Sequence, residues 1–191
     1  MARIAPLEPP YPTELAAELA AMMPPNVAPL RLFRTLAHNP RVLGRIRGGN
    51  LLDRGSLDRL DRELVILRTT ARCGSEYEWG VHVAFFARRF GIPEPKIAGT
   101  RLWEGRDPRW SAKEGAIVRG IDELHERAAI AESAWQELSA FFAPEQLVEL
   151  LVLVGFYHTI SFVTNGLAID LEDFGERFPE GELPRPGAGK A

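Results

Sequence analysis

The segment LVELLVLVGFYHTISFVTNGLAI, residues 147–169, constrains this chain more than any other. Glu149, His158 and Asn165 interrupt its apolar run, which reads as a buried helix running from Pro144 to about Ile169 and not as a membrane span. A helix that is apolar almost all round has to be covered on every side. One small bundle does this poorly, so the pattern predicts an oligomer with part of this helix at the interface.

The rest of the chain is patterned in the same way. Ala, Leu, Glu and Arg dominate and the alternating Val/Ile/Thr runs of strands are almost absent, which predicts an all-α fold. Pro and Gly punctuate it. A Pro-rich arm (1–12) leads to a helix capped by Thr13 and stopped by the prolines at 24 and 25. A second helix covers about 28–37, and Pro40 opens a third behind an Asn39 cap. The fourth starts after Ser56 and aligns Leu57, Leu60, Leu64, Leu67 and Ala71 on one stripe, with Glu63 at its edge. A short helix from Pro93, a longer one after WSAKE and another around AWQELSAFF precede the last. The stretch 170–191, rich in Pro, Gly and acids, is expected to be an extended tail ending in disorder. At 191 residues the expectation is one domain, 1–191.

Charge and composition exclude several functions. The chain has 23 basic and 26 acidic residues, mixed along its length, for a formal net charge of -3. No basic block tracks phosphates, so no nucleic-acid partner is expected. The N-terminus has prolines and acids where a secretory signal needs an apolar run, so the expected location is cytoplasmic, with no membrane partner. Cys73 is the single cysteine and can form neither an intrachain disulfide nor a redox pair. No HExxH or Cys/His spacing is present, so no metal and no cofactor are expected.

Chemistry concentrates in RCGSEYEWGVHVAFFARRFG, residues 72–91. On a helix beginning at Ser75, the positions Ser75, Glu78, Trp79, His82, Phe86 and Phe90 share one face. Polar groups at the mouth pass into an aromatic stripe that must be buried, with His82 where mouth meets core. SEYE is equally a capping box, and Gly91 a normal stop. His82 reads also as a satisfied core histidine, and Glu63 as the partner of Arg62 or Arg68. His158 and Asn165 read as a hydrogen-bonded core pair, His38 and His125 as solvent-facing, and Trp103, Trp110 and Trp135 as packing residues.

RELVILRTTARCGSEYEWGVHVAFFARRFGIPEPKI (62–97) resembles the signature segment of the carboxymuconolactone decarboxylase family, which also holds the alkyl hydroperoxidase D (AhpD) proteins. LFRTLAHNPRVL upstream and the last helix downstream extend the match more weakly. The resemblance implies an AhpD-like helical bundle built around a two-helix hairpin. It also implies a homo-oligomer (dimer, trimer or hexamer) with active sites near subunit contacts. In the peroxidase branch a Glu, a CxxC and a His form a proton relay. On this chain the Glu falls on Glu63, the His on His82, and the two cysteines on Ser75 and Glu78. A serine cannot replace a thiolate, so the dithiol cycle is unavailable. The decarboxylase branch also lacks the CxxC and keeps YEW before the His.

The implied activity is therefore cofactor-independent acid-base chemistry on a small carboxylated lactone or enone, in the manner of a 4-carboxymuconolactone decarboxylase. Glu63, Glu78 and His82 are the implied catalytic residues, with Glu78 fixing the tautomer of His82 and Glu63 as the second acid-base group. Ser75, Tyr77 and Trp79 are the implied substrate contacts, and Arg34, Arg68 and Arg72 are available to a substrate carboxylate. Two alternatives stand beside this reading: a peroxidase-type redox protein using Cys73, and a non-catalytic oligomer that binds a small ligand.

Overall fold

The structure is a computed structural model that describes residues 2–49 and 51–181. All its regular elements are helical among the described residues. They are α1 (Thr13–Ala21), α2 (Arg31–Leu36), α3 (Pro40–Gly49), α4 (Arg59–Arg72), α5 (Glu76–His82), α6 (Glu94–Leu102), α7 (Ala112–Arg127), α8 (Glu132–Ser139) and α9 (Pro144–Gly166). One π-helical turn, Val83–Ala87, continues α5 without a break.

Helix α4 is the hub and packs against α5, α6, α7 and α9. Its sequence explains the position: every residue from Glu63 to Ala71 is buried, so it is enclosed and not merely amphipathic. The stripe expected on it is broken at one place, since Leu60 is exposed. Asp58, not Ser56, caps the helix, accepting from the amide of Leu60 at 2.8 Å. Ser56 is taken up by Glu149 of α9, which accepts from both its amide and its hydroxyl at 2.6 Å. A polar side chain within the apolar α9 run thereby pins the loop ahead of α4.

Two of the three apolar clusters among the described residues hold most of the bundle around this hub. The larger joins α4, α7, α8 and α9 through Ile66, Ile117, Leu138 and Leu153, all fully buried. The other gathers α1 to α3 against Tyr77, Val81 and Ile160. Helix α9 turns Leu150, Leu153, Val154, Tyr157 and Ile160 inward and leaves Val148, Val152 and Phe162 exposed on its opposite side. By length and composition it is apolar enough to cross a membrane, yet one face packs on α4 and α5.

Several local expectations need correction. Thr13 does not cap α1, whose preceding residue is Pro12, with no side-chain bond. Asn39 does cap α3, accepting from Val42 at 3.3 Å. The capping box lies at α7, where Ser111 accepts from Glu114 and Glu114 accepts from the Ser111 amide. SEYE makes none: the Ser75 hydroxyl instead meets Thr164 of α9 at 2.8 Å. Buried between two helices, it finds a tertiary partner where an exposed serine would bond its own helix. Trp103 and Trp110 are buried and stacked edge to face, but Trp135 is exposed.

The segment 170–181 runs back over α5. Glu176 donates its amide to the carbonyl of Gly80, and Phe178 lies against Trp79 at 5.3 Å between ring centroids. A Cβ at residue 80 would collide with the Glu176 backbone, so the glycine makes this crossing possible. The expected disordered end, 182–191, lies outside the described residues.

Candidate active site

Three helices bring one buried imidazole among three acidic hydroxyl or carboxyl groups. His82 is the last residue of α5 and 2 % exposed. Its Nδ1 lies 2.9 Å from Glu63 Oε2, and Glu63 is fully buried. On the other side of the ring, Nε2 lies 3.0 Å from the Tyr157 hydroxyl and 3.5 Å from Glu78 Oε1. Glu63 comes from the middle of α4, Glu78 from one turn earlier on α5, and Tyr157 from the inner face of α9.

The ring's protonation follows from these contacts. Burial lowers the pKa of His82, while the charges and hydrogen bonds of Glu63 and then Glu78 raise it, for a net rise to about 9. At neutral pH His82 is an imidazolium, with Nδ1–H donating to Glu63. Burial, Glu78 and Glu63 push the Tyr157 phenol well above its ordinary value, so its proton stays on oxygen. When His82 gives up its Nε2 proton, that nitrogen can accept from the Tyr157 hydroxyl. Two carboxylate oxygens, Glu63 Oε1 and Glu78 Oε2, are buried without a hydrogen-bond partner. In an apolar surrounding such atoms are costly unless a ligand or water meets them.

His82 stands where the α-helix gives way to the π-turn Val83–Ala87, a device that often marks functional positions. The wider turn keeps Phe86 against the imidazole at 5.0 Å and Phe90 against Phe86 at 6.0 Å. The aromatic stripe is therefore continuous, but Phe86 and Phe90 are only half-buried where full burial was expected.

Glu63, Glu78 and His82 thus meet, with two changes of part. Glu63, not Glu78, holds Nδ1 and so sets the tautomer, and it pairs with His82 instead of an arginine. Tyr157 was missed; its signal was its place seven residues before Thr164, on the inward stripe of a helix otherwise read as core. The polar atoms of Ser75, Tyr77 and Trp79 are engaged by the protein. Tyr77 donates to Glu172 at 2.6 Å and accepts from the Leu32 amide, and Trp79 donates to Thr100 at 2.9 Å.

The three arginines are also committed. Arg68, 1 % exposed, forms a fork with both oxygens of Asp122 and donates to the carbonyls of Thr100 and Trp103. Arg72 pairs with Glu126 and Asp122, and Arg34 with Glu8. The cation whose charge reaches Tyr157 is Arg62, which donates to the carbonyls of Leu52 and Asp53. A cleft of about 170 Å³ lined by Leu60, Asp61, Lys96 and Glu114 shares no residue with the His82 cluster.

A second histidine cluster was not foreseen. His125 was expected to face solvent and His158 to pair with Asn165. Instead His125 Nδ1 lies 3.1 Å from His158 Nε2 and 3.8 Å from the Cys73 sulfur, and Asn165 donates to the Cys73 carbonyl at 2.8 Å. His38 is exposed, as expected, with its ring 2.9 Å from the Ala5 carbonyl. Burial pushes the Cys73 thiol up against the opposing effects of Ser161 and Arg72. Burial, Arg72 and His158 push His125 down.

The helical hub, with its buried Glu–His pair between α4 and the end of α5, has an AhpD-like fold. More particularly, residues 39–119 match the model of the carboxymuconolactone decarboxylase family. No match was found among curated proteins. The fold is similar to that of a peroxidase-related protein from Silicibacter sp. TM1040, with a TM-score of 0.76, 16% identity, and coverage of 91% of this chain and 93% of that one. It is similar to an AhpD-core, peroxidase-related protein from Ralstonia eutropha JMP134, with a TM-score of 0.75, 16% identity, and coverage of 89% and 93%. The debrominase Bmp8 also matches, with a TM-score of 0.68, 13% identity, and coverage of 90% and 92%.

Proposed function

We propose that the protein is an acid-base enzyme acting on a small lactone or enone, with a decarboxylation of the 4-carboxymuconolactone type as its leading reaction. The single observation that carries this reading is His82. It is a buried imidazole with Glu63 on one nitrogen, Tyr157 and Glu78 on the other, and two carboxylate oxygens left free. Such a group delivers a proton and can be reprotonated through its neighbours.

In the decarboxylation, the bond from ring carbon to carboxylate breaks and carbon dioxide leaves. The electron pair conjugates into the unsaturated lactone as a dienolate. His82 then gives the proton on Nε2 to the remote carbon, Tyr157 can donate to the exposed nitrogen, and Glu63 keeps the ring in register through Nδ1. Solvent restores the proton. These transfers need no electron acceptor.

A carboxylated substrate draws less support than the acid-base chemistry, because Arg34, Arg68 and Arg72 are all engaged elsewhere. Decarboxylation remains first because residues 39–119 match that family. The redox alternative is weakened by Cys73 itself. Its raised pKa keeps it a thiol at neutral pH, and the thiolate is the nucleophile in peroxide chemistry.

We also propose that the working form is a homo-oligomer. Val148, Val152 and Phe162 are 62 %, 55 % and 68 % exposed on one face of α9, an apolar surface that a second copy would cover. Sedimentation of Phe162→Glu beside the wild type checks this; a wild-type monomer refutes it.

The catalytic reading is tested by incubating the protein with 4-carboxymuconolactone, and with a metabolite pool followed by mass spectrometry, beside His82→Ala and Glu63→Gln. A product formed by the wild type and lost in both variants supports the assignment. Full turnover in both variants sinks it.

A further inference from the structure

Cys73, His125 and His158 bring one sulfur and two imidazole nitrogens to a single point from three elements. Cys73 ends α4, His125 lies in the last turn of α7 and His158 sits on α9 beside Tyr157. All three side chains are half-buried, and one ligating atom from each lies within 4.8 Å of the others. We propose that this triad is a binding site for a divalent zinc ion, separate from the His82 cluster.

The donor set has the right softness. One thiolate and two imidazoles suit a borderline-soft ion, whereas calcium and magnesium require oxygens. The spacing fits as well. Zinc bonds of about 2.0–2.1 Å to nitrogen and about 2.3 Å to sulfur in a tetrahedron set N···N near 3.3 Å and N···S near 3.6 Å. The observed separations are 3.1 Å between the two histidines and 3.8 Å from the sulfur to His125.

The surroundings prepare the ligands. His158 donates Nδ1–H to the Val154 carbonyl at 2.9 Å, which leaves the lone pair on Nε2 directed at the cluster. Ligating histidines usually have such a carbonyl or carboxylate behind them, because it fixes the tautomer. The nearby cations are already balanced: Arg68 and Arg72 are paired with Asp122 and Glu126. Asn165 holds the Cys73 carbonyl, anchoring the backbone that carries the sulfur. On binding, the Cys73 thiol loses its proton to solvent, and the His125 proton moves to Nε2 so that Nδ1 can ligate. Three protein donors leave a fourth position for water or another small ligand.

The test is metal binding by the full-length protein after chelation and dialysis, with zinc chloride by calorimetry and cobalt(II) by visible spectroscopy. One zinc per chain is expected, and cobalt should give tetrahedral d–d bands with a sulfur-to-metal charge-transfer band. Cys73→Ser should abolish that charge-transfer band. His158→Gln should weaken zinc binding by more than about 100-fold, beyond what loss of an outer partner costs. Glu63→Gln should bind zinc as the wild type does. Absence of binding by the folded wild type overturns the proposal, and so does binding that Cys73→Ser and His158→Gln leave unchanged while circular dichroism shows both folded. Loss of binding in Glu63→Gln alone would place the metal at the His82 cluster and overturn it equally.

Discussion

Two histidine clusters share the same helices and have opposite chemistry. Helix α4 supplies Glu63 to one and Cys73 to the other, ten residues or about 15 Å further along. Helix α9 supplies Tyr157 to one and His158 to the other, adjacent residues about 100° apart around the axis. The first is fully buried and lined by carboxylates, which raise His82 to about 9. The second is half-buried beside arginines, and His125 is pushed below its ordinary value. Neighbouring charge, more than burial, separates them: burial lowers both rings, and only the carboxylates of the first reverse it. One imidazole is thereby set to hold a proton and the other to offer a lone pair.

The strongest way to break this contrast is to remove the carboxylate responsible. Glu63→Gln should lower turnover of any substrate the protein converts by about 10²–10⁴-fold, the usual weight of a positioned acid-base group. It should also bring the His82 pKa down from about 9, followed by NMR of the ring protons. A pKa that stays near 9 would show that Glu63 is not the cause. His125 should titrate unchanged.

The next effect is on stability against pH. The folded pKa of His82 lies above its unfolded value of about 6.5. The folded state therefore binds the proton more tightly. Its contribution is fully present below about pH 6.5, and is lost as pH rises through about 9. That contribution is at most about 3 kcal/mol. Urea unfolding across pH 6–10 should show the decline in the wild type, and a flatter profile in His82→Gln.

The helix pattern was legible in the chain, and i,i+4 spacing put Glu78 and His82 on one face, but the pairing of Glu63 with His82 came only from the family resemblance, since periodicity matched Glu63 with Arg62 or Arg68. What was not legible were partners chosen across the bundle. SEYE and the SAKE stretch have the same S-x-x-E form, yet only Ser111 makes a capping box. Ser75 is buried against α9, where Thr164 outcompetes the helix's own amide. Arg68 and Glu63 both lie on α4, but the arginine faces Asp122 of α7 and the carboxylate faces His82. Such choices depend on how α4 is rotated among four neighbours. The π-turn after His82 is likewise invisible to a 3.6-residue period, and it accounts for Phe86 and Phe90 being less buried than a regular stripe predicts.

A smaller change sharpens the role of the residue the pattern missed. Tyr157→Phe removes the hydroxyl next to His82 Nε2 and leaves the ring packed in the core. Loss of one hydrogen bond should cost about 1 kcal/mol of unfolding free energy. If the hydroxyl takes part in proton return, turnover should fall while KM stays close to the wild-type value. A change in KM alone would make Tyr157 a packing residue.

The smallest effect tests whether the clusters are independent despite their shared helices. Asn165→Ala removes the side-chain bond to the Cys73 carbonyl at an exposed position, and should cost less than about 1 kcal/mol. Combined with Tyr157→Phe, the losses should add to within about 0.5 kcal/mol, as they do for sites without shared partners. The His82 pKa should remain at about 9 in Asn165→Ala. An interaction energy well above that margin would mean that α9 transmits changes at one cluster to the other, by shifting along its axis. Tyr157 and His158 would then be two faces of one coupled element, and a ligand at the Cys73 triad would alter proton transfer at His82.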